Sequence, residues 1–224
     1  MVAQAIHVQN SSLNNLCKFC SFLSQEDSEK ENFNHPLCET ENFVVVPSVG
    51  AIVPGWLLLV PKSHYLNIGE IPFSEYDELN YVITSVTKIL NRHYGTFTIF
   101  EHGPVCDGSN VGCGIDHAHL HMVPFSFSYR EACAKANLSV VDISDSGNFS
   151  SHKILSQNKI PYLYVKEKED KGIFFTSPNI PSQFFRRIIA DSCGKSGSFD
   201  YKTDLFIENV GLTISTLASD CIGI

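Results

Sequence analysis

The chain has 224 residues, 43% of them hydrophobic, and a formal net charge of −8. That is enough for one large core or for a domain with an appendage. The acidic balance argues against a surface that grips nucleic acid through its phosphates, though it leaves room for a local basic pocket for a small phosphorylated ligand. The longest apolar run, Trp56 to Val60, is too short to cross a bilayer.

From the N-terminus, Met1 to His7 shows no basic segment followed by an apolar stretch. No secretory signal is read there, and the expected compartment is the cytoplasm. Residues 1–15 are polar and read as loose. Cys17-x-x-Cys20 follows, and the charged stretch Ser24 to Asn34 reads as an exposed loop. From Glu41 the chain turns β-like. Asn42 to Pro47 is a β-branched run, Val53-Pro54-Gly55 is a turn, and Trp56 to Val60 is a second strand, so an antiparallel pair is expected. Pro72 to Tyr94 is a predicted helix with Ser74 as N-cap and Asp77 three residues on. Its Leu79, Val82, Ile83, Val86, Ile89 and Leu90 recur at helical spacing, and Gly95 ends it. Thr96 to Phe100 is a third strand, residues 102–114 a Gly-rich loop, and a fourth strand carries three histidines. Beyond Pro124 the pattern gives a short helix from Tyr129 to Ala136 and a polar loop from Asp142 to Ser151. Two strands, Pro161 to Val165 and Gly172 to Thr176, flank a charged hairpin from Lys166 to Lys171. Pro181 to Ser192 reads as a helix with Phe184, Phe185, Ile188 and Ile189 on a common face.

The histidines stand in His117-Ala118-His119-Leu120-His121-Met122-Val123. Alternate side chains of a strand point the same way, so the histidines share a face that meets solvent or a ligand, while Ala118, Leu120 and Met122 face the core. Three readings follow. The histidines are surface groups, or metal ligands, or catalysts, since a neutral imidazole is a nucleophile against which neighbouring donors can hold a phosphate. The eight cysteines suit metal ligation or buried thiols better than a disulfide framework in a chain of this length. Cys17-x-x-Cys20 lacks the strand-to-helix context of a redox pair. A closed structural zinc site needs two further ligands, and no second Cys-x-x-Cys exists to supply them. His64 in Pro61-Lys62-Ser63-His64 is a candidate, as is one of the three histidines.

Taken together, these segments resemble the histidine triad (HIT) superfamily of nucleotide hydrolases and transferases. His117 to Val123 fits its His-x-His-x-His motif with two apolar residues following. Pro54 to His64 looks like its strand leading into Pro-Lys-x-His, and the early Cys-x-x-Cys looks like that of zinc-containing members. The resemblance implies an α+β fold. A HIT-like antiparallel sheet with a main helix would span residues 13–127, and residues 128–224 would form a C-terminal α/β extension packed on it. Carried over by position, Cys17, Cys20, His64 and His117 would bind a structural zinc ion, His119 would be the nucleophile, and His121 would help bind phosphate. Backbone donors of Gly112-Cys113-Gly114 would meet the phosphate oxygens. The implied activity is hydrolysis of a nucleoside phosphate derivative (a dinucleoside polyphosphate, a nucleotide sugar or a phosphoramidate) through a nucleotidyl-histidine intermediate. Nucleotidyl transfer by the same intermediate and nucleotide binding without catalysis are the alternatives. The implied partner is a small nucleotide rather than a nucleic acid or a membrane. Homodimers are common in the family, but the extension could cover that interface, so the oligomeric state stays open.

Several positions depart from the commoner pattern. Gly112-Cys113-Gly114 replaces a Gly-Gln-Ser turn. Glu101, followed by His102, stands where an Asn often ends the preceding strand. Trp56 falls where some relatives carry a fourth pocket histidine, and Ser48 near where many have the Asp that holds the ribose hydroxyls. These bear on substrate recognition more than on the nucleophile. In the extension, Pro181 to Arg187 sets Gln183 and two arginines beside an aromatic pair. That is either an amphipathic helix with solvated arginines or a pair, Gln183 and Arg186, that reaches the active site to bind a distal phosphate or sugar.

Overall fold

The computed structural model describes residues 17–24, 36–143, 149–168, 171–222 and 224. The expectations for residues 1–15, for 25–34 of the charged stretch, and for parts of the polar loop and the charged hairpin lie outside the described residues.

The elements run α1 (Lys18–Ser24), β1 (Cys38–Glu39), β2 (Phe43–Pro47), β3 (Leu57–Pro61), two short 3₁₀ turns (Ile68–Glu70 and Phe73–Glu75), α2 (Tyr76–Tyr94), β4 (Thr98–Gly103), β5 (Leu120–Val123), α3 (Tyr129–Lys135), β6 (Ser139–Val141), α4 (Ser150–Gln157), β7 (Tyr162–Glu167), β8 (Ile173–Thr176), α5 (Phe184–Ser192) and α6 (Ile207–Cys221). The strands form one eight-stranded sheet in the order β1-β2-β3-β5-β4-β7-β8-β6. All its pairings are antiparallel. The sheet is continuous across residue 128, because β7 pairs with β4.

Period-two alternation explains why β2 and β3 are buried throughout. Phe43, Val45, Leu57 and Leu59 enter one core, and Val44, Val46, Leu58 and Val60 enter another on the opposite face. The first core holds α2 through Leu79, Val82, Val86, Ile89 and Leu90, as the helical spacing predicts. Each fully buried Val or Leu there contributes about 1.5–3 kcal/mol relative to exposure. Gly95 closes α2 in the left-handed conformation, φ 76°, and its N–H donates to Asn91 O. Ser74 does not cap the helix. It lies inside the preceding 3₁₀ turn, and no side chain caps α2 at Glu75.

Two other expectations change. The histidine segment is only partly strand: β5 starts at Leu120, so His117 and His119 precede it, with Ala118 N–H tied to Tyr65 O at 2.6 Å. The histidine face does not open broadly to solvent either. His117, His119 and His121 are 1%, 6% and 3% exposed, because Phe19 of α1 and Phe184, Phe185 and Ile189 of α5 belong to the core on that side. On the α2 side of the sheet α4 docks at Gly69, where a Cβ would collide with His152 O, so only glycine admits α4 this closely. No helix among the described residues is long and apolar enough to cross a membrane.

Candidate functional site

The first cluster assembles four residues from three places in the sequence. Cys17 and Cys20 come from the start of α1, His64 from the turn after β3, and His117 from the segment before β5. Cys17 Sγ is 3.4 Å and Cys20 Sγ 3.5 Å from His117 Nδ1, and Cys20 Sγ is 3.3 Å from His64 Nδ1. The four donor atoms lie within 4.8 Å of one another, so they could hold a metal ion. His117 Nε2–H donates to Pro61 O at 2.8 Å. That bond puts the ring proton on Nε2 and leaves the Nδ1 lone pair facing the thiols.

His119 is held in the opposite tautomer. Its Nδ1–H donates to the carbonyl of His117 at 2.7 Å, which frees the lone pair on Nε2. Burial holds its pKa below the usual value; the His117 carbonyl opposes the shift and the Arg186 charge adds to it. The ring is therefore neutral near pH 7. His119 lines a cavity of about 620 Å³ together with His121, Cys113, Arg186, Phe19 and Ser48. That volume suits a nucleotide-sized ligand.

His121 is fixed by a neighbour that the sequence pattern marked only as a departure. The Trp56 indole N–H donates to His121 Nδ1 at 3.1 Å, so the His121 proton sits on Nε2. Phe100 stacks on the ring at 4.4 Å. His121 Nε2–H points to Cys113 Sγ at 3.4 Å, and Cys113 Sγ lies 2.8 Å from His102 Nδ1. His102, Cys113 and His121 are also close enough to share a metal. The Trp56 bond argues against that, because it leaves His121 Nε2 protonated rather than free to ligate. Burial first, then the neighbouring His119 and Arg186, lower the His102 pKa to about 3. Burial pushes the Cys113 thiol up to about 12.

Glu101 does not face this pocket. It points to the opposite side of the sheet, where its carboxylate oxygens accept from Ile68 N–H and the Tyr162 hydroxyl, both at 2.8 Å. Its neighbour His102 is the residue of β4 that turns toward the histidines. The side chain that looked unfavourable beside a phosphate thus ties the 3₁₀ turn at Ile68 and Tyr162 of β7 to β4.

Arg186 reaches the pocket and is 1% exposed. Its guanidinium donates to Phe199 O at 2.8 Å and to Gly50 O, and it lies over the Trp56 ring at 4.8 Å. Gly50, at φ +77°, leaves the space it needs: a Cβ there would sit 2.9 Å from the guanidinium. Arg187 is exposed, so only one of the two arginines is solvated. Gln183 does not line the pocket. It sits in the left-handed conformation just before α5, and its amide donates to Asp200 at 3.1 Å. Ser48 lines the pocket, with its hydroxyl turned to Val49 O. Of the glycine turn, Cys113 lines the pocket. Gly114, φ +87°, lies beside it under Tyr201, whose hydroxyl donates to Gly114 O at 3.1 Å, and Gly112 O accepts from Ser182 Oγ at 2.9 Å. Lys18, Phe19, Tyr201 and Lys202 also line the pocket and were not singled out from the sequence. Lys18 and Phe19 sit inside Cys17-x-x-Cys20; Tyr201 and Lys202 carry no motif at all.

Residues 29–127 match the HIT domain family model. No curated protein matches the chain in sequence. Among solved structures, a Zn-bound histidine triad family protein from Mycobacterium smegmatis shares 20% identity over 50% of this chain and 77% of its own, with a TM-score of 0.41. A HIT family protein from Bacillus anthracis shares 17% over 63% and 90%, TM-score 0.40. Yeast Ap4A phosphorylase in complex with AMP shares 17% over 66% and 61%, TM-score 0.36.

Proposed function

We propose, from the match of residues 29–127 to the HIT domain family model, that the protein hydrolyses a nucleoside phosphate derivative through a covalent nucleotidyl-His119 intermediate. The observation that carries this reading is the bond from His119 Nδ1–H to His117 O, which leaves Nε2 unprotonated in a pocket of nucleotide size. Nε2 attacks the α-phosphorus, an N–P bond forms, and the bond from phosphorus to the leaving group breaks. The imidazolium that results keeps its Nδ1 proton on the His117 carbonyl, which stabilises the developing charge. His121 Nε2–H is the donor for the phosphate oxygens, with the backbone of Cys113, the residue of the Gly112-Cys113-Gly114 turn that lines the pocket, beside it. Water then attacks phosphorus, the N–P bond breaks, and a nucleoside monophosphate leaves with one proton released.

Zinc is the metal we assign to the Cys17, Cys20, His64 and His117 cluster. Ligand bonds of about 2.3 Å to sulfur and 2.0–2.1 Å to nitrogen at tetrahedral angles put neighbouring S and N about 3.5 Å apart. The 3.3–3.5 Å separations support that fit. Bound there, zinc would supply no chemistry; it would hold α1 and the His117 backbone in place. Residues 128–224 act in this reading as an extension that completes the pocket, through Arg186, Tyr201 and Lys202.

The test is intact mass spectrometry of wild type and His119→Ala, quenched without acid after exposure to dinucleoside polyphosphates, nucleotide sugars and phosphoramidates. A nucleotidyl mass on the wild type alone is expected. Turnover by His119→Ala at the wild-type rate would overturn the assignment. Addition of inorganic phosphate separates hydrolysis, which gives only the monophosphate, from transfer, which gives a diphosphate.

A further inference from the structure

The cavity around His119 is rich in hydrogen-bond donors and poor in free acceptors. Lys18, Arg186 and Lys202 line it, and among the described residues no Asp, Glu, Asn or Gln side chain does. Lysine and arginine only donate. His121 adds a donor, because the Trp56 N–H on its Nδ1 leaves the ring proton on Nε2. The Asp200 and Asp204 carboxylates act on the Arg186 charge from outside the lining. Asp200 Oδ1 accepts from Gln183 Nε2 and Lys202 N–H, and Asp204 Oδ2 accepts from Thr203 Oγ1.

The carbonyls around the cavity are already paired. After β2, Ser48 O accepts from Ala51 N–H at 3.2 Å, Val49 O from Ser48 Oγ at 3.3 Å, and Gly50 O from Arg186. On the α1 side, Cys17 O accepts from Ser21 N–H and Ser21 O from Ser24 Oγ, both at 2.9 Å. Leu205 O accepts from Gly50 N–H at 2.8 Å, and Gly114 O from the Tyr201 hydroxyl at 3.1 Å. What remains is His119 Nε2, whose lone pair attacks phosphorus, with the spare lone pairs of the paired carbonyls and of the Ser21, Ser48 and Tyr201 hydroxyls. No carboxylate or side-chain amide of the lining is set aside for a ligand hydroxyl.

Such a surface suits a ligand's acceptors, namely phosphate oxygens and the ring nitrogens or carbonyls of a base. A ribose hydroxyl is a donor as well, and it gains little on leaving water for a wall without a dedicated acceptor. A site built to bond a hydroxyl rejects the analogue that lacks it by about 10⁴–10⁵-fold, and a site without that bond has no means of doing so.

We infer that this pocket does not read the ribose 2′-hydroxyl, so that its substrates include 2′-deoxyribonucleotide derivatives on equal terms with ribonucleotide ones. This rests on the reading of the cavity as a nucleotide site and sets the sugar specificity of that site.

The experiment uses the full chain. Adenosine and cytidine 5′-monophosphates and their 2′-deoxy analogues are titrated into it calorimetrically. Within each base the two affinities are expected to agree to within about fivefold. A deoxy form weaker by more than that overturns the inference and leaves the His119 reading untouched. Binding of none of these nucleotides overturns the nucleotide site and the inference together. Ser48→Ala removes one hydroxyl of the lining and should not shift the ratio of the two affinities. A selective loss of ribonucleotide affinity in that variant would show that Ser48 Oγ accepts from the sugar, and would overturn the inference. A second arm compares kcat/KM for a ribonucleoside and a 2′-deoxyribonucleoside derivative with the same leaving group, again expected to agree to within about fivefold. A larger preference for ribose shows that the hydroxyl is bonded in the transition state, and overturns the inference even where the monophosphates bind alike. Absence of a His119 adduct from both derivatives overturns the nucleophile, while the titrations still decide the sugar.

Discussion

Glu101 and His102 are neighbours on β4, both buried and both titratable, yet they serve opposite faces of the sheet. On the His102 side, His119 presents a free Nε2 to a cavity of about 620 Å³, and His121 lines the same cavity with its Nε2–H toward Cys113 Sγ. On the Glu101 side the cavity is about 60 Å³, and His152 stands 3.7 Å from Glu101 in a box of Tyr162, Tyr164, Phe149 and Phe174 rings. Burial raises the Glu101 pKa to about 8 and lowers that of His152 to about 3, so at neutral pH the pair is uncharged rather than an ion pair. Burial of an ionisable group therefore does not by itself mark a reactive site. What separates the faces is where the free atom points: into a ligand-sized space on one side, into the joint between β4, β7 and α4 on the other.

The largest expected effect breaks the first face and spares the second. Lys18, Phe19, Ser21 and Phe22 of α1 line the pocket, and α1 is anchored through Cys17 and Cys20. Removing the proposed zinc with a chelator, or substituting Cys17→Ser with Cys20→Ser, should release that wall. Structural zinc is worth several kcal/mol of folding free energy, so Tm should fall by about 10 °C or more. Nucleotide affinity should fall by about tenfold to hundredfold. Hydrogen exchange in α4, which packs on the Glu101 side, should change little. Full nucleotide affinity in the zinc-free protein would show that the metal does not hold the wall.

A smaller effect belongs to the second face alone. The folded pKa of Glu101, about 8, lies above the ordinary carboxylate value of 4.5. The folded state therefore holds an extra proton between those values. The stability this contributes is fully present below about pH 4.5 and is lost as pH rises through 8, with a slope of at most about 1.4 kcal/mol per pH unit. Glu101→Gln removes the titration and keeps an acceptor for Ile68 N–H. Denaturation midpoints from pH 5.5 to 8.5 should fall more steeply in the wild type than in the variant. Parallel curves would show that Glu101 is ionised in the folded protein.

Much of the His102 face was readable because its chemistry is local: Cys17-x-x-Cys20, Pro61-Lys62-Ser63-His64 and the three histidines keep fixed spacings. Period-two alternation placed β2 and β3, and helical spacing placed α2, which packs on the Glu101 face. The joint of Glu101, His152 and Tyr162 on that face was not readable, because these residues meet only after the sheet forms. The helices α4 and α6 were missed for a related reason. Ile207–Cys221 is rich in Thr, Ser and β-branched residues with a glycine inside, which intrinsic propensity disfavours as helix. It folds because Val210 and Leu217 are fully buried and Thr213 Oγ1 accepts from Gly55 N–H. Arg186 lay between the two cases. Its sequence context gave the residue, but only Gly50 and Phe199, 136 and 13 residues away, determine that it points at the histidines.

The smallest expected effect sharpens how the first face is set. Trp56 fixes His121 by one hydrogen bond and also lies against the Arg186 guanidinium. Trp56→Phe keeps an aromatic face for the cation and deletes only the N–H with part of the ring. A buried bond of this kind is worth about 1–2 kcal/mol, so a similar loss of stability and about a tenfold loss in kcat/KM are expected. The discriminating readout is the imidazole nitrogen shifts of His121. In the wild type Nδ1 should be unprotonated and Nε2 protonated. The variant should lose that preference, because Nδ1 no longer has a donor facing it. If the wild-type proton sits on Nδ1, the indole cannot be donating there. His121 Nε2 would then be an acceptor instead of a phosphate donor, and the His102, Cys113 and His121 group would regain the free nitrogen that a metal requires.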